Sequence, residues 1–278
     1  MTGAAMPGRG RLRFAAPSFV LPGTVAENAR FLAGRVEEVA LCCFETAGSL
    51  AYTHADLPAD LARLPLRWHL HLPVDLPWRE GAEGAAAAAL AVLDRLAALA
   101  PGLAPWAAVL HPPVELPPPA RGEALATFAA RWRGAGAPPL LLENIRGCQL
   151  TDLPAGADLL TRHGLGVCLD VGHLLGYAQA DLLASDLPER AALVHWSAPG
   201  PQPGQDRHLP LTALTPGQRR TAQALLRRFS PGAVHLLEVF AWAGVDASRR
   251  WLAACAEGAA AVASAPRGAV PPPVPEGR

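Results

Sequence analysis

Residues 139–173 read PLLLENIRGCQLTDLPAGADLLTRHGLGVCLDVGH, and this stretch decides the fold. PLLLEN (139–144) and LGVCLD (165–170) are short apolar runs that each close on a polar side chain. The segment between them is patterned as a helix over 154–163 and stops at His163-Gly164, where a C-cap or helix-dipole partner is expected. Continuous apolar runs are what strands buried on both faces look like. A helix between two of them is the sequence signal of a parallel strand pair.

The same unit recurs in both directions. Strands are expected at 12–17, 36–44, 66–72 and 106–111 before it, and at 191–196 and 233–240 after it. Helical patterns cover 24–34, 55–63, 81–100, 120–133, 174–185, 215–229 and 246–262. Thr215-Pro216 has the chemistry of an N-cap followed by proline at the first helical position. PPVELPPP at 112–119 is expected to be loop, because so many prolines suit neither a helix interior nor a central strand. Eight strands alternating with eight helices predict a single (β/α)8 TIM barrel over 12–265, with its active site at the C-terminal ends of the strands. A flexible N-terminus (1–11) and a disordered Pro-rich tail (266–278) flank it. A doubly wound open sheet is the alternative, but no G-x-G-x-x-G follows the first strand.

Composition agrees and narrows the chemistry. The 278 residues match the roughly 250 of a typical barrel. All 24 positive charges are Arg, since the chain has no Lys, which excludes Schiff-base lysine chemistry and a standard P-loop. They are balanced by 24 acidic residues, so no basic surplus points to nucleic acid, and none is expected as partner. Cys42, Cys43, Cys148, Cys168 and Cys255 contain no C-x-x-C and suit a reducing compartment. The first residues lack the apolar core of a secretion signal. The longest apolar stretch, 84–93, is too short for a membrane span, so a soluble cytoplasmic protein is expected.

Metal-ligand side chains crowd the strand ends. His71, His111, Glu143 and Asp170 end the third to sixth strands; His173 follows in D-V-G-H. His195 ends the seventh, with Asp206 and His208 in the D-R-H of its loop, and Glu238 lies near the end of the eighth. Taken singly, each is as well explained as a hydrogen-bonded structural group. Converging in one barrel mouth, such carboxylates and imidazoles would repel or stay unsatisfied without cations between them. Imidazole with carboxylate suits zinc first, with iron or manganese as alternatives. His69, two residues before His71, faces the same way one layer deeper, either orienting ligands or satisfied in the core. His54 and His235 are read as structural.

This ordered set resembles the nine-ligand trinuclear site of the endonuclease IV and xylose-isomerase-like barrels. A closer resemblance is to the CbiR family of cobamide-remodelling phosphodiesterases. It rests on FAAPSFVLPGTVAEN (14–28), VEEVALCCFE (36–45), HLHLPVDLPW (69–78), LENI (142–145), LDVGH (169–173) and DRHLPL (206–211). The resemblance implies two or three divalent metal ions per chain. His71 and His111 would hold one, with Glu143 bridging to a second completed by Asp170, His195 and Glu238. His173, Asp206 and His208 would hold the third. It also implies hydrolysis of the nucleotide-loop phosphoester of a cobamide, giving cobinamide phosphate and an α-riboside. The Pro-rich 112–119 loop and Ala-rich 81–100 helix stand apart from that pattern.

On this reading water attacks phosphorus in line, with Glu143 or Glu238 positioning it, and no covalent enzyme intermediate is needed. Glu45, ending the second strand, is expected to contact substrate or act as a base. Arg146 and Arg207 are candidates for gripping phosphate or amides, and Trp78 for packing on the corrin or base; Trp196 is better placed in the core. The alternatives are an abasic-site DNA endonuclease, a sugar isomerase or epimerase, and a corrinoid carrier without catalysis.

Overall fold

The computed structural model describes residues 11–153, 156–202 and 204–264. Apart from Arg11, the expected flexible N-terminus and Pro-rich tail lie outside the described residues. Strands β1 (Arg13–Pro17), β2 (Glu38–Cys42), β3 (Arg67–His71), β4 (Ala108–Leu110), β5 (Leu140–Glu143), β6 (Gly166–Asp170), β7 (Ala191–Trp196) and β8 (Val234–Leu237) are parallel and pair in sequential order. β8 closes on β1. The chain is therefore a (β/α)8 barrel, and each expected apolar run contains one strand of this ring.

Helices α1 (Val25–Leu32), α2 (Thr46–Leu50), α3 (Ala82–Leu99), α4 (Pro118–Gly134) and α5 (Gly156–Arg162) follow the first five strands. After β6 come three short helices, α6 (Val171–Gly176), α7 (Ala180–Ala184) and α8 (Leu187–Arg190), then α9 (Pro216–Arg228) after β7 and α10 (Trp242–Ser264) after β8. The Thr215 hydroxyl accepts from the Gln218 amide and the Gln218 side chain accepts from the Thr215 amide, a full capping box at the expected place.

Three helix readings are corrected. The expected loop at 112–119 ends early: Pro118 and Pro119 open α4, where a missing N–H costs nothing. The expected helix at 55–63 is only a 3-10 turn at Ala59–Arg63, and the α-helix of this unit, α2, precedes it at 46–50. The 174–185 pattern is two helices, because Ala178 takes a left-handed φ of 52° between them.

The strands bury both faces. Outward side chains join the helices in one apolar shell. Inward ones, among them Ala15, Ala40, Cys42, Ala107, Val109, Leu141, Cys168, Leu193, Val234 and Leu236, form a separate interior cluster. Small residues dominate that interior and leave room for a polar pair. His69 Nδ1 donates to Glu38 Oε1 at 2.6 Å, and Trp106 Nε1 donates to the same oxygen. His69 is thus tied downward to Glu38. On the outer side Trp196 is fully buried and donates Nε1–H to His235 Nδ1 at 2.9 Å, which makes both core residues. Among the described residues no helix is long and apolar enough to cross a membrane.

Candidate metal centre

Strand register sets the height of each polar side chain. Asp170 pairs with His195 across β6 and β7, and Cys42 with His71 across β2 and β3. These residues therefore reach the C-terminal mouth at one level, with inward orientation fixed by the period of two. Glu143 is the last residue of β5, and Glu238 follows the end of β8. Asp206 and His208 come from the β7 loop, which returns to the barrel where Ala198 and Leu209 exchange backbone hydrogen bonds at 2.8 and 3.0 Å. His208 has a φ of 44°, a left-handed conformation costly for a side-chain-bearing residue and held by this return.

Glu143 lies at the middle and is buried. Its Oε2 is 3.2 Å from His71 Nε2 and 3.4 Å from His111 Nε2. Its Oε1 is 3.4 Å from His195 Nδ1. That nitrogen is 3.1 Å from Glu238 Oε2 and 3.8 Å from Asp170 Oδ2. His71, His111 and Glu143 form one compact donor set, and Glu143, Asp170, His195 and Glu238 a second; in each, the ligand atoms lie within 4.8 Å of one another. At the rim, His173 Nε2 and His208 Nε2 approach the same oxygen of Asp206, at 2.9 and 3.2 Å. All nine sequence candidates thus meet in one mouth, six in the two compact sets and three in this outer one.

The donors fit metal ions. Zinc–nitrogen bonds of 2.0–2.1 Å in a tetrahedron put neighbouring ligands about 3.3 Å apart, close to the spacing around Glu143. Asp170 Oδ2, His195 Nδ1 and Nε2, Glu238 Oε2 and His208 Nδ1 are buried without a hydrogen-bond partner. His195 Nδ1 and Glu238 Oε2 therefore face each other at contact distance unaligned for a hydrogen bond, as two ligands of a common ion would. Such orphaned groups cost about 1–3 kcal/mol each unless something else satisfies them. Backbone carbonyls choose the ligand nitrogens: His71 Nδ1–H donates to Leu72 O at 3.0 Å and His173 Nδ1–H to Asn144 O at 2.8 Å. Each leaves Nε2 as the nitrogen turned into the mouth, where it faces Glu143 Oε2 and Asp206 Oδ2 respectively.

Electrostatics tell the same story. Burial pushes the Asp170 carboxyl up to about 7, reinforced by the charges of Glu143 and Glu238. Burial also acts against ionisation of Glu143, but His195 and His111 more than offset it and hold this carboxyl well below its usual range. His195 is held well above the ordinary imidazole value: burial opposes its charge, and Cys168, Glu238 and Glu143 overcome that. Three carboxylates packed this closely require positive charge among them.

The remaining candidates are placed differently. Glu45 is exposed at the N-terminus of α2, and its carboxylate makes no hydrogen bond or ion pair among the described residues. Arg146 and Arg207 are exposed on the loops after β5 and β7; the Arg146 charge reaches Tyr177, whose ring stacks on His173 at 5.5 Å. Trp78 is a correction. It is 4% exposed and packs on Phe128 of α4 at 5.2 Å, so it is core and offers no ligand surface. A tryptophan beside a ligand-bearing strand carries no sign of which way it turns.

Several contributors were not read from sequence. Asn144 donates to Asp170 O and Gln179 Oε1 and accepts the Asp170 amide at 2.7 Å, locking β5 to β6 beside the ligands. Asn144 stands in the quoted LENI block, directly after Glu143, and that adjacency was the available signal. Cys168 lies one step below, within ligand reach of Glu143 and His195; burial pushes its thiol up to about 12.

No protein-family model matches the chain, and no curated protein matches it. Solved structures do. A D-tagatose 3-epimerase-like protein superposes with a TM-score of 0.62 at 14% identity, covering 91% of this chain and 100% of its own. The TTHB071 protein of Thermus thermophilus, soaked with zinc chloride, gives 0.57 at 22% identity over 89% of this chain and 98% of its own. The IOLI protein, with a bound zinc atom, gives 0.56 at 12% identity over 91% and 97%. At these identities the likeness is one of fold.

Proposed function

We propose that the protein is a metal-dependent phosphodiesterase that hydrolyses the nucleotide-loop phosphoester of cobamides. The observation that carries the metal-dependent part is Glu143, buried between two sets of donors with each carboxylate oxygen facing a different set. Zinc in two of the neighbouring structures agrees with that donor chemistry. The choice of phosphoester rests on the sequence blocks that resemble the CbiR family, together with the outer set of His173, Asp206 and His208, for which a sugar isomerase has no use.

Divalent ions held by these residues would withdraw charge from the phosphoryl oxygens, acidify water and stabilise the departing alkoxide. The chain supplies the rest. Glu143 or Glu238 orients the water that attacks phosphorus. The bond from phosphorus to the riboside oxygen breaks, that oxygen takes up a proton, and the phosphate stays with the cobinamide. Arg146 and Arg207 stand at the rim where an incoming phosphate passes. Glu45, exposed on the β2 side, meets the substrate outside the donor sets.

The test is incubation of the metal-loaded protein with adenosylcobalamin under reducing conditions, with and without chelator, and mass spectrometry of the products. Cobinamide phosphate and α-riboside, lost with chelator and restored by zinc, iron or manganese, are expected. Their absence with metal supplied overturns the substrate assignment. Nicking of abasic duplex DNA, or epimerisation of a ketose, would put one of the rival activities in its place.

A further inference from the structure

The large hydrophobic side chains left exposed among the described residues are Leu21, Phe44, Leu50, Val74 and Phe240. They are not scattered. Leu21 follows β1, Phe44 and Leu50 follow β2, Val74 follows β3, and Phe240 follows β8. Because β8 closes on β1, these four strands are consecutive around the ring, so the exposed apolar surface is one arc of the mouth. Apolar clustering of this kind marks a binding surface, where isolated exposed leucines would not.

Aromatic rings line the inner edge of that arc and run up to the metal centre. Phe19 meets Phe44 at 5.5 Å between ring centroids, Phe44 meets Phe240 at 5.6 Å, and Phe240 meets His208 at 5.2 Å. Phe44 and Phe240 remain 42% and 39% exposed although packed on each other, so a broad ring face is left for something else to cover. Glu45 and Asp75, next in sequence to Phe44 and Val74, are acidic and exposed. Arg146 stands across the mouth, after β5, whereas Arg207, after β7, adjoins His208 at the end of the strip where that ring meets Phe240. A phosphate laid on the aromatic arc would be repelled by the Glu45 and Asp75 carboxylates, whereas an apolar macrocycle without anionic charge would not. The mouth is therefore amphipathic: donors in the centre, and exposed aromatic rings along the side formed by the loops after β8, β1 and β2.

We infer that Phe19, Phe44 and Phe240 form a stacking shelf for the flat macrocycle of the substrate, seating it beside the donor sets while its phosphodiester lies over them. This inference rests on the cobamide reading and adds to it the residues that select the macrocycle. Aromatic rings offer broad apolar contact at little cost in side-chain ordering.

The probe is cyanocobinamide, which has the macrocycle without the nucleotide loop, measured by equilibrium dialysis against the metal-loaded full chain. Phe44→Ala is expected to weaken its binding about 10-fold or more. Phe44→Trp, which keeps a flat ring, is expected to restore it. Metal content and melting temperature identical to wild type show that the variant is folded. Equal binding by wild type and Phe44→Ala overturns the shelf. So does binding of dimethylbenzimidazole that depends on Phe44 when cyanocobinamide binding does not, because the occupant is then the lower base. The two readings separate cleanly. If adenosylcobalamin is hydrolysed but cyanocobinamide ignores Phe44, the shelf falls and the proposed reaction stands. If cyanocobinamide binds in a Phe44-dependent manner but no cobamide is cleaved, the reaction falls and the shelf stands.

Discussion

Glu143→Gln tests the bridging geometry at almost constant volume. The substitution leaves one carbonyl oxygen and replaces the other with an amide nitrogen that cannot coordinate. In the wild type Oε2 sits 3.2 and 3.4 Å from the imidazoles of His71 and His111, while Oε1 sits 3.4 Å from His195. A single remaining oxygen can serve one of those sets, and it lacks charge there as well. Four-ligand structural zinc sites are worth about 10–16 kcal/mol, so one ligand of four accounts for about 3–4 kcal/mol, or about 10²–10³ in affinity. The assay is metal content per chain, by elemental mass spectrometry after dialysis against a chelator-buffered zinc series. Two equivalents are expected to shift together in Glu143→Gln, one through loss of a ligand and the other through loss of charge. In Asp206→Ala, whose carboxylate meets His173 and His208 alone among the described residues, one equivalent should shift. If Glu143→Gln displaces a single equivalent, or none, the carboxylate does not bridge and the two-set reading of the mouth is wrong.

Two further outcomes follow from the packing. A Cβ added at Gly172 would collide with Ser197 Oγ and lie 3.1 Å from Asp170 Oδ1, so Gly172→Ala should lower metal affinity at least 10-fold without changing a ligand. Gly134→Ala, where nothing lies within 4 Å, should leave metal affinity at the wild-type value in the same titration. Burial, reinforced by the charge of Arg13, lowers the His235 pKa to about 4, against about 6.5 in the unfolded chain. The unfolded state then binds the extra proton first as pH falls, so stability is intact above pH 6.5 and declines towards pH 4, with about 2 kcal/mol lost by pH 5. In urea titrations at pH 7 and pH 5, both with chelator, the stability change on acidification should be about 2 kcal/mol less favourable in wild type than in His235→Gln, the other titrating groups being common to both; equal changes in the two proteins would show that this imidazole is not held neutral.

Ring closure explains what could be read from sequence and what could not. The β–α–β rhythm is local, so LRFAAP, PLLLEN and LGVCLD each announce a strand, and position at a strand end tells which His, Asp and Glu reach the mouth. Helices after β6 are harder, since the apolar spacing of α6 and α7 passes for a single helix and the one-turn α8 gives no pattern of its own. Trp78 misleads for a related reason: sequence places it beside a ligand-bearing strand, but only the packing of α4 shows its ring turned onto Phe128. The aromatic shelf is beyond reach altogether. Phe44 and Phe240 belong to the second and eighth strand loops, and they become neighbours only because β8 pairs with β1.

The backbone's share of the metal centre is equally hidden. A sequence offers imidazoles but not their tautomers, and ligation requires a particular nitrogen free of its proton. Here the carbonyls of Leu72 and Asn144 make that choice for His71 and His173, and any residue could supply a carbonyl. What puts the Asn144 carbonyl in place is its own side chain, which grips the backbone of Asp170 through both a donor and an acceptor, with Gln179 completing the amide network. One asparagine thus fixes the orientation of a histidine through its backbone and the position of an aspartate through its side chain. The precision of the mouth rests on this coupling of neighbouring strands as much as on the nine side chains that would touch metal.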